Sequence, residues 1–343
     1  MNIYNLSLSE LEQYFESIGE KKYRASQVFE WLYRKKAKSF SEMTNISKKI
    51  IDILEATFEI KELTLKLKSE SKDGTIKFLF ELDDRNLIET VLMRHSYGNS
   101  VCVTSEVGCA MGCAFCASGE LGLVRRLTLS EMVLQVLYVD NFLNQTGERV
   151  SNIVVMGIGE PFDNYDTLMK FLYVVNYPKG LEIGARHITV STSGIVPKIL
   201  EFAEDPLQIN LAISLHAPNN ELRDKLMKIN KVYKIEKVLD AVRAYISKTN
   251  RRVTFEYILL KGINDSKKCA KELVKILRGI NCYVNLIPYN KVDTKSFETT
   301  DHLKAEEFLS ILVQSGITTT LRGEHGTDVN AACGQLRAKH LND

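Results

Sequence analysis

Residues 101–116 read VCVTSEVGCAMGCAFC, and this stretch decides the fold prediction. Apart from Cys102, residues 101–104 are β-branched and predict a buried strand. Cys109, Cys113 and Cys116 follow it within a few residues. In parallel α/β sheets the ligand site lies beyond the carboxyl ends of the strands. A strand that leads into three clustered thiols therefore predicts a parallel sheet with its chemistry at that edge.

Downstream of this stretch, strand patterns alternate with helical patterns, which predicts a parallel sheet with right-handed crossovers. The predicted strands are 101–104, 153–156, 187–190, 209–215, 253–260, 283–287 and a shorter 317–321, and the helices are 130–142, 166–175, 235–248, 266–278 and 302–314. Six such units fall short of the eight in a full TIM barrel. We predict an α/β fold with a partial, six-unit TIM-type barrel, and a doubly wound sheet is the alternative.

The N-terminal part has a different pattern. Apolar residues recur at helical spacing through about residue 60, and two short strands, 76–82 and 87–93, follow around the Asp83-Asp84 turn. We therefore expect an N-terminal helical accessory domain over 1–85 and the barrel over 86–343.

The composition is that of a globular chain: 343 residues, 45% hydrophobic and 26% charged, with a net charge of only +2. Residues 21–38 are nevertheless basic and contain Tyr23, Trp31 and Tyr33. Such a stretch suits RNA contact, although charge alone favours a solvated helix face with buried aromatics. We find no membrane-spanning stretch and no signal peptide, so we expect a cytoplasmic protein without a membrane partner.

The seven cysteines indicate metal or redox chemistry, because their number is odd and four fall within 102–116. Three thiolates of a cubane iron–sulfur cluster leave one iron open, and S-adenosylmethionine (SAM) can bind there and be cleaved to a radical. A structural zinc site is the alternative, but no fourth ligand follows closely. Cys269 and Cys282 fit small buried apolar positions.

Polar segments follow the later strands. Gly157-Ile158-Gly159-Glu160 comes after the second, Ser191 after the third, His216 after the fourth and Asn290 after the sixth. Glycine allows close backbone approach, and Glu160 can accept from an ammonium group. Taken singly, each would pass as ordinary polar capping of a strand end.

Six strings together are specific: VCVTSEVGCAMGCAFC, MGIGEP, STSG, AISLHAPN, NLIPYN and AACGQL. In this order they resemble the RlmN/Cfr family of radical-SAM RNA methyltransferases, from about Glu89 to Leu336. Pro161 and Pro288 resemble the RlmN branch. The resemblance implies a radical-SAM barrel with an N-terminal RNA-contacting domain and a C-terminal methyl-carrier segment.

The resemblance also implies a reaction. The RlmN branch methylates carbon 2 of an adenosine in 23S rRNA, at the peptidyl-transferase centre, and in tRNAs next to the anticodon. It uses a 4Fe–4S cluster, two SAM molecules per turnover and an electron donor such as flavodoxin. The alternative within the family is carbon-8 methylation as in Cfr, which gives antibiotic resistance. A non-catalytic RNA-binding protein with a structural metal site is the alternative from another class.

Site residues are carried over position by position. The resemblance makes Cys109, Cys113 and Cys116 the cluster ligands, Cys333 the methyl carrier, Cys102 the residue that resolves the protein–RNA adduct through a disulfide with Cys333, and Glu89 the proton acceptor. Positions matching SAM-binding residues are Gly159, Glu160, Ser191, Ser214, Leu215, His216 and Asn290. The chain departs from the family at Glu106, where glutamine is frequent, and at Asn330, where an acid is usual.

Such a route suits the chemistry, because carbon 2 of adenine is electron-poor and does not displace a methyl group from SAM. The methyl is placed on Cys333, loses a hydrogen to the deoxyadenosyl radical, and adds to the ring as a methylene radical. The adduct then loses an electron and the ring proton, and Cys102 releases it by thiol–disulfide exchange.

Overall fold

The computed structural model describes residues 1–119, 122–292 and 294–323. The helices are α1 (Leu8–Ser17), α2 (Tyr23–Tyr33), α3 (Lys48–Thr57), α4 (Leu129–Asn144), α5 (Tyr165–Asn176), α6 (Val196–Phe202), α7 (Asn220–Leu226), α8 (Ile235–Thr249), α9 (Lys267–Leu277) and α10 (His302–Gln314). The strands are β1 (Thr64–Glu70), β2 (Ile76–Glu81), β3 (Leu87–His95), β4 (Gly98–Cys102), β5 (Glu106–Gly108), β6 (Leu123–Arg126), β7 (Val150–Val155), β8 (Ile188–Thr192), β9 (Asn210–Ser214), β10 (Val253–Leu259), β11 (Cys282–Pro288) and β12 (Thr318–Leu321).

The main sheet has ten strands, which lie side by side in the order β1-β2-β3-β4-β7-β8-β9-β10-β11-β12. From β4 to β12 all neighbours pair in parallel. Parallel strands in chain order belong to a barrel wall, whereas a doubly wound sheet reverses its order at a switch point. The predicted partial barrel is therefore confirmed, and the doubly wound alternative is wrong.

Side chains of the parallel strands alternate between two environments. In β10, Val253, Phe255 and Tyr257 are buried in the main hydrophobic core, while Glu256 and Ile258 line a cavity on the opposite face. This period of two gives the barrel a packed outer layer and a partly polar inner wall.

Three antiparallel strands extend this sheet before the first parallel strand. β1, β2 and β3 pair in sequence, and β3 pairs with β4 so that Val91 lies opposite Cys102. The sequence predicted β2 and β3 but not β1, whose residues are mostly exposed. The domain division at residue 85 falls in the turn between β2 and β3 and stays a proposal.

The N-terminal helices pack onto the barrel through the same hydrophobic core. Leu11 of α1, Phe29 of α2 and Leu137 of α4 are all buried in it. The Asn5 side chain accepts a hydrogen bond from the Ser130 backbone N–H at 3.0 Å, which joins the N-terminus to the start of α4. The described residues contain no helix long and apolar enough to cross a membrane.

Candidate active site

A cavity of about 360 Å³ lies inside the barrel, at the carboxyl ends of its strands. Eight of the predicted site residues line it: Cys102, Cys109, Cys116, Gly159, Ser191, Ser214, His216 and Asn290. Three further predicted residues do not line the cavity but are close in sequence to residues that do: Cys113, Glu160 and Leu215. The remaining cysteine of the predicted site, Cys333, lies outside the described residues. The topology thus gathers residues that are far apart in the sequence.

The cysteine loop lies between two short strands, β5 and β6, that the sequence analysis missed. The Cys109 backbone N–H donates to the Gly122 carbonyl at 3.0 Å. A Cβ on Gly108 would lie only 1.8 Å from that same carbonyl oxygen, and Gly108 has a φ of +83°. Glycine at 108 is therefore required for the two strands to meet at the base of the loop.

The three thiols fit a cubane cluster. Burial raises the pKa of Cys109 well above its ordinary value and that of Cys113 to about 12, and the neighbouring thiols raise both further. Thiols with such pKa values become thiolates only when a metal binds them. No three ligand side chains in the described residues form a mononuclear metal site. A cubane cluster does not require three side chains around one metal ion, because each thiolate binds a different iron.

Glu160 ties two strand-end loops together. Its carboxylate accepts from the Ser193 N–H at 2.7 Å and from the Phe162 N–H at 3.1 Å. The side chain is buried, and this burial raises the pKa of its carboxyl. Gly159, with a φ of +110°, lies so close to Glu106 that a Cβ there would be 2.6 Å from the Glu106 Cβ. An ammonium group brought to this acceptor would offset part of the cost of burying it.

Glu106 holds the backbone of Glu160 in place through a hydrogen bond. One oxygen of its carboxyl accepts from the Glu160 backbone N–H at 2.8 Å, and the other has no partner within the described residues. Burial raises the pKa of Glu106 to about 8, and the nearby carboxylates of Asp163 and Glu160 add to the effect. This is the position where the chain departs from the frequent glutamine.

Replacing Glu106 with glutamine is expected to stabilise the protein at alkaline pH. Because the pKa of Glu106 in the folded state lies above its ordinary 4.5, its contribution to stability is full below that value and is lost as the pH rises through about 8. Glu106→Gln keeps an acceptor for the Glu160 N–H and removes the charge. Urea unfolding should show the variant at least about 1 kcal/mol more stable than the parent at pH 9 and nearly equal at pH 5.

The matched control is Glu298→Gln, on an exposed loop. It should leave the pH dependence of unfolding unchanged. Equal stability of Glu106→Gln and the parent across this pH range would show that the pKa of Glu106 is not raised in the folded protein.

His216 is presented to the cavity as a neutral hydrogen-bond donor. The Leu215 and His216 N–H groups both donate to the Glu256 carbonyl, at 3.1 and 3.3 Å, so the backbone bulges where β9 ends. The His216 Nδ1 accepts from the Ile258 N–H at 3.1 Å, which leaves the proton on Nε2. Burial lowers the pKa of His216 to about 3. Phe115, from the cysteine loop, packs edge-on against its ring at 4.9 Å.

Arg223 holds these loops in place, and the sequence analysis missed it. Its guanidinium is fully buried and donates to the carbonyls of Ser193 at 2.7 Å, Ser214 at 3.2 Å and Leu215 at 3.1 Å. Burial lowers its pKa to about 10, so it stays charged at neutral pH. No sequence signal pointed to this function, because α7 is too short to show a helical period and Arg223 resembles a surface arginine.

Cys102 and Glu89 lie on the antiparallel side of the cavity. Cys102 is buried and faces the cavity opposite Val91. Glu89 points to the same face of β3 as Val91 and forms an ion pair with Lys77 at 3.1 Å, both side chains being almost fully buried. Glu89 itself does not line the cavity. Of the remaining cysteines, Cys269 is in the hydrophobic core and Cys282 packs against it.

A partial parallel barrel with a CxxxCxxC loop at its mouth defines a radical-SAM enzyme, and residues 104–275 match the Radical SAM superfamily model. Residues 1–60 match the ribosomal RNA large subunit methyltransferase N-terminal domain. The chain belongs to the RlmN family of radical-SAM RNA methyltransferases. It therefore uses a 4Fe–4S cluster and SAM to methylate RNA, and the non-catalytic alternative is wrong.

Curated relatives support this over nearly the whole chain. The probable dual-specificity RNA methyltransferase RlmN of Geobacillus kaustophilus is 57% identical over 338 residues, which are 98% of this chain and 93% of the relative. That of Lysinibacillus sphaericus is 55% identical over 342 residues, 100% and 90% of the two chains. A crystal structure of a radical SAM methyltransferase from Sphaerobacter thermophilus aligns with a TM-score of 0.93 at 44% identity, over 98% of this chain and 99% of that one.

Proposed function

We propose that this enzyme methylates carbon 2 of an adenosine, in 23S rRNA and in tRNAs next to the anticodon, through a methyl group carried on Cys333. The observation that supports this most directly is the position of Cys102. Its thiol lines the same cavity as Cys109 and Cys116, although it is not one of the CxxxCxxC cysteines. A radical-SAM barrel that only cleaved SAM would need no such extra thiol on the inner wall.

The cysteine triad would hold the cluster, which supplies the electron that cleaves SAM. Glu160, Ser191, Ser214, Leu215, His216, Asn290 and the Gly159 backbone are proposed to bind SAM. Glu160 offers a negative charge to the SAM amino group, and the neutral His216 offers an N–H donor. Both are fixed by backbone hydrogen bonds, so they are oriented before SAM arrives.

Glu89 is proposed as the acceptor of the ring proton. Glu89 forms a buried ion pair with Lys77 at 3.1 Å, which fixes the position of a carboxylate, the type of group that can accept a ring proton. Glu89 shares the face of β3 with Val91, which lies opposite Cys102 and lines the cavity. Glu89 is therefore on the same side of the cavity as Cys102, the cysteine that is proposed to release the product.

Cys102 is proposed to release the product. Its thiolate attacks the sulfur of Cys333, so a sulfur–sulfur bond forms while the bond from sulfur to the transferred carbon breaks. The departing carbon keeps the electron pair and takes up a proton to become the new methyl group. A reductant then returns the disulfide to two thiols, and an electron donor such as flavodoxin is proposed to serve the cluster.

The N-terminal residues 1–85 are proposed to contact the RNA. Lys35, two residues after the end of α2, lies 3.7 Å from the ring of the partly exposed Trp31, and Tyr23 at the start of α2 is half-exposed beside Arg24. Tyr33, in contrast, is buried in the core, as the solvated-helix alternative predicted for the aromatics. Exposed aromatic rings next to cations suit stacking against unpaired bases. A cytoplasmic location, with the ribosome and tRNAs as partners, follows from these substrates.

Mass mapping of the modified nucleoside tests the proposal. The reconstituted holoenzyme is incubated anaerobically with SAM, a reductant and either 23S rRNA fragments or tRNA, and the RNA is digested to nucleosides. We expect carbon-2 methyladenosine from both RNAs. Methyl found only at carbon 8 would favour the Cfr-like alternative and contradict the proposed position.

A further inference from the structure

Glu256 is a buried acid on the inner wall of the barrel that the proposed mechanism does not use. It stands at the centre of β10, where its neighbours Phe255 and Tyr257 turn outward into the core. The Glu256 side chain faces the other way and lines the cavity, with only 6% of its surface exposed. A carboxyl in this environment costs folding free energy unless a hydrogen-bond partner or a ligand compensates it.

A chain of polar side chains fixes the orientation of this carboxyl. The Asn285 amide nitrogen donates to the Glu256 Oε2 at 2.8 Å. The Asn285 oxygen in turn accepts from the Thr320 hydroxyl at 3.5 Å, and Thr320 is hydrogen-bonded to Tyr283. The amide is thus held with its nitrogen toward Glu256. Asn285 is the hydrogen-bond donor to this carboxyl within the described residues and it reaches Oε2, so Oε1 is left for a donor from the cavity that the carboxyl borders.

The surroundings of Glu256 define the kind of ligand that fits. Ser214 is its register partner on β9, and Arg322, which also lines the cavity, lies close enough to lower the pKa of Glu256. Burial dominates and raises that pKa to about 7. A hydroxyl or amino donor from a ligand would satisfy Oε1, whereas an anionic group would be repelled by the carboxylate form.

We infer that Glu256 is a binding residue for an adenosine moiety in the barrel, accepting a hydrogen bond from a ribose hydroxyl or from the exocyclic amine. Two sources bring this chemistry into the cavity. SAM contains an adenosine, and the target nucleotide is an adenosine. The target-nucleotide source rests on the proposed function, and the SAM source does not.

The test compares Glu256→Gln with a matched control, Glu221→Gln, whose side chain is 81% exposed on α7. For each anaerobically reconstituted holoenzyme we would measure the Kd of S-adenosylhomocysteine and the KM of the RNA. Losing a charged acceptor should weaken one of the two about 10-fold or more, while the control stays within about 2-fold. A raised Kd identifies SAM as the source, and a raised KM with unchanged Kd identifies the target nucleotide.

Unchanged values of both constants in Glu256→Gln would overturn the inference. The Kd does not depend on which RNA atom is methylated, so failure of the proposed carbon-2 chemistry is distinguishable from failure here. If the variant does not fold, donor-deleted ligands serve on the parent holoenzyme: 2′-deoxy, 3′-deoxy and N6-dimethyl forms of S-adenosylhomocysteine and of the target nucleotide. At least one should bind about 10-fold more weakly, and equal binding of all six would overturn the inference.

Discussion

Replacing Cys102 with alanine is expected to stop turnover and to leave the enzyme covalently attached to its RNA. In the proposed mechanism, the chemistry up to addition of the Cys333-bound carbon to the base does not involve Cys102. Release does, because a thiolate must attack the Cys333 sulfur, and alanine offers none. Denaturing gel electrophoresis of the Cys102→Ala reaction should show a slow band that contains both protein and RNA and disappears after nuclease digestion.

Two controls accompany this experiment. Cys333→Ala removes the proposed carbon carrier and should give neither product nor adduct. Cys269→Ala changes a cysteine in the hydrophobic core that is not part of the cavity wall, and should turn over without trapping RNA. A Cys102→Ala enzyme that still produces methylated RNA would refute the assignment of Cys102.

Replacing Arg223 with methionine is expected to be the most destabilising change among the described site residues. The substitution keeps much of the volume but deletes every donor to the carbonyls of Ser193, Ser214 and Leu215. Buried carbonyls that lose their partners cost about 1–3 kcal/mol each, so we expect a loss of roughly 3–5 kcal/mol in the free energy of unfolding. Urea denaturation followed by circular dichroism measures it.

Arg243→Met is the matched control, because Arg243 pairs with Asp240 on the exposed face of α8. Its effect should stay within about 0.5 kcal/mol. The Arg223 variant should also lose SAM affinity, because its partners lie in the loops that follow β8 and β9. A loss below about 1 kcal/mol would mean that water or relaxation satisfies these carbonyls.

The sequence predicted the barrel because its signals are local and periodic. Strands such as β10 and helices such as α8 have strong apolar alternation, and their predicted positions agree with the structure to within a residue or two. The spacing of Thr128 and Glu131 is a local signal of the same kind, because the two residues form the capping box of α4, with the Thr128 N–H donating to the Glu131 carboxylate at 2.8 Å. Elements with a local, periodic sequence pattern could therefore be predicted without knowledge of the three-dimensional structure.

The features that were missed depend on distant contacts. β1 is mostly exposed, so its residues lack the apolar pattern of a core strand. α7 has only seven residues, too few to show a helical period, and Arg223 within it resembles any surface arginine until the fold buries it. Glu256 had one available signal, an acid at the centre of the mostly apolar strand VTFEYIL. No sequence signal pointed to the burial of Lys77, because its partner Glu89 is on the next strand.

The candidate site was predicted mainly by resemblance, and the structure adds its physical arrangement. Eight residues from the ends of five parallel strands, β4, β7, β8, β9 and β11, meet around one cavity, as the carboxyl-end rule for parallel strands requires. Glu160 and His216 were expected to touch SAM directly. Their hydrogen bonds show that they connect neighbouring loops, so we expect changes at either position to alter loop geometry as well as the proposed SAM contacts.

In the proposed mechanism the methyl group passes through the Cys333 sulfur and loses one hydrogen on the way. SAM carrying a trideuterated methyl group tests it most directly, over many turnovers so that any methyl already on the protein is diluted. We expect methyladenosine that retains two deuterium atoms, with the third found in 5′-deoxyadenosine. Methyladenosine that retains all three would show direct transfer from SAM and would refute passage of the methyl group through a protein sulfur.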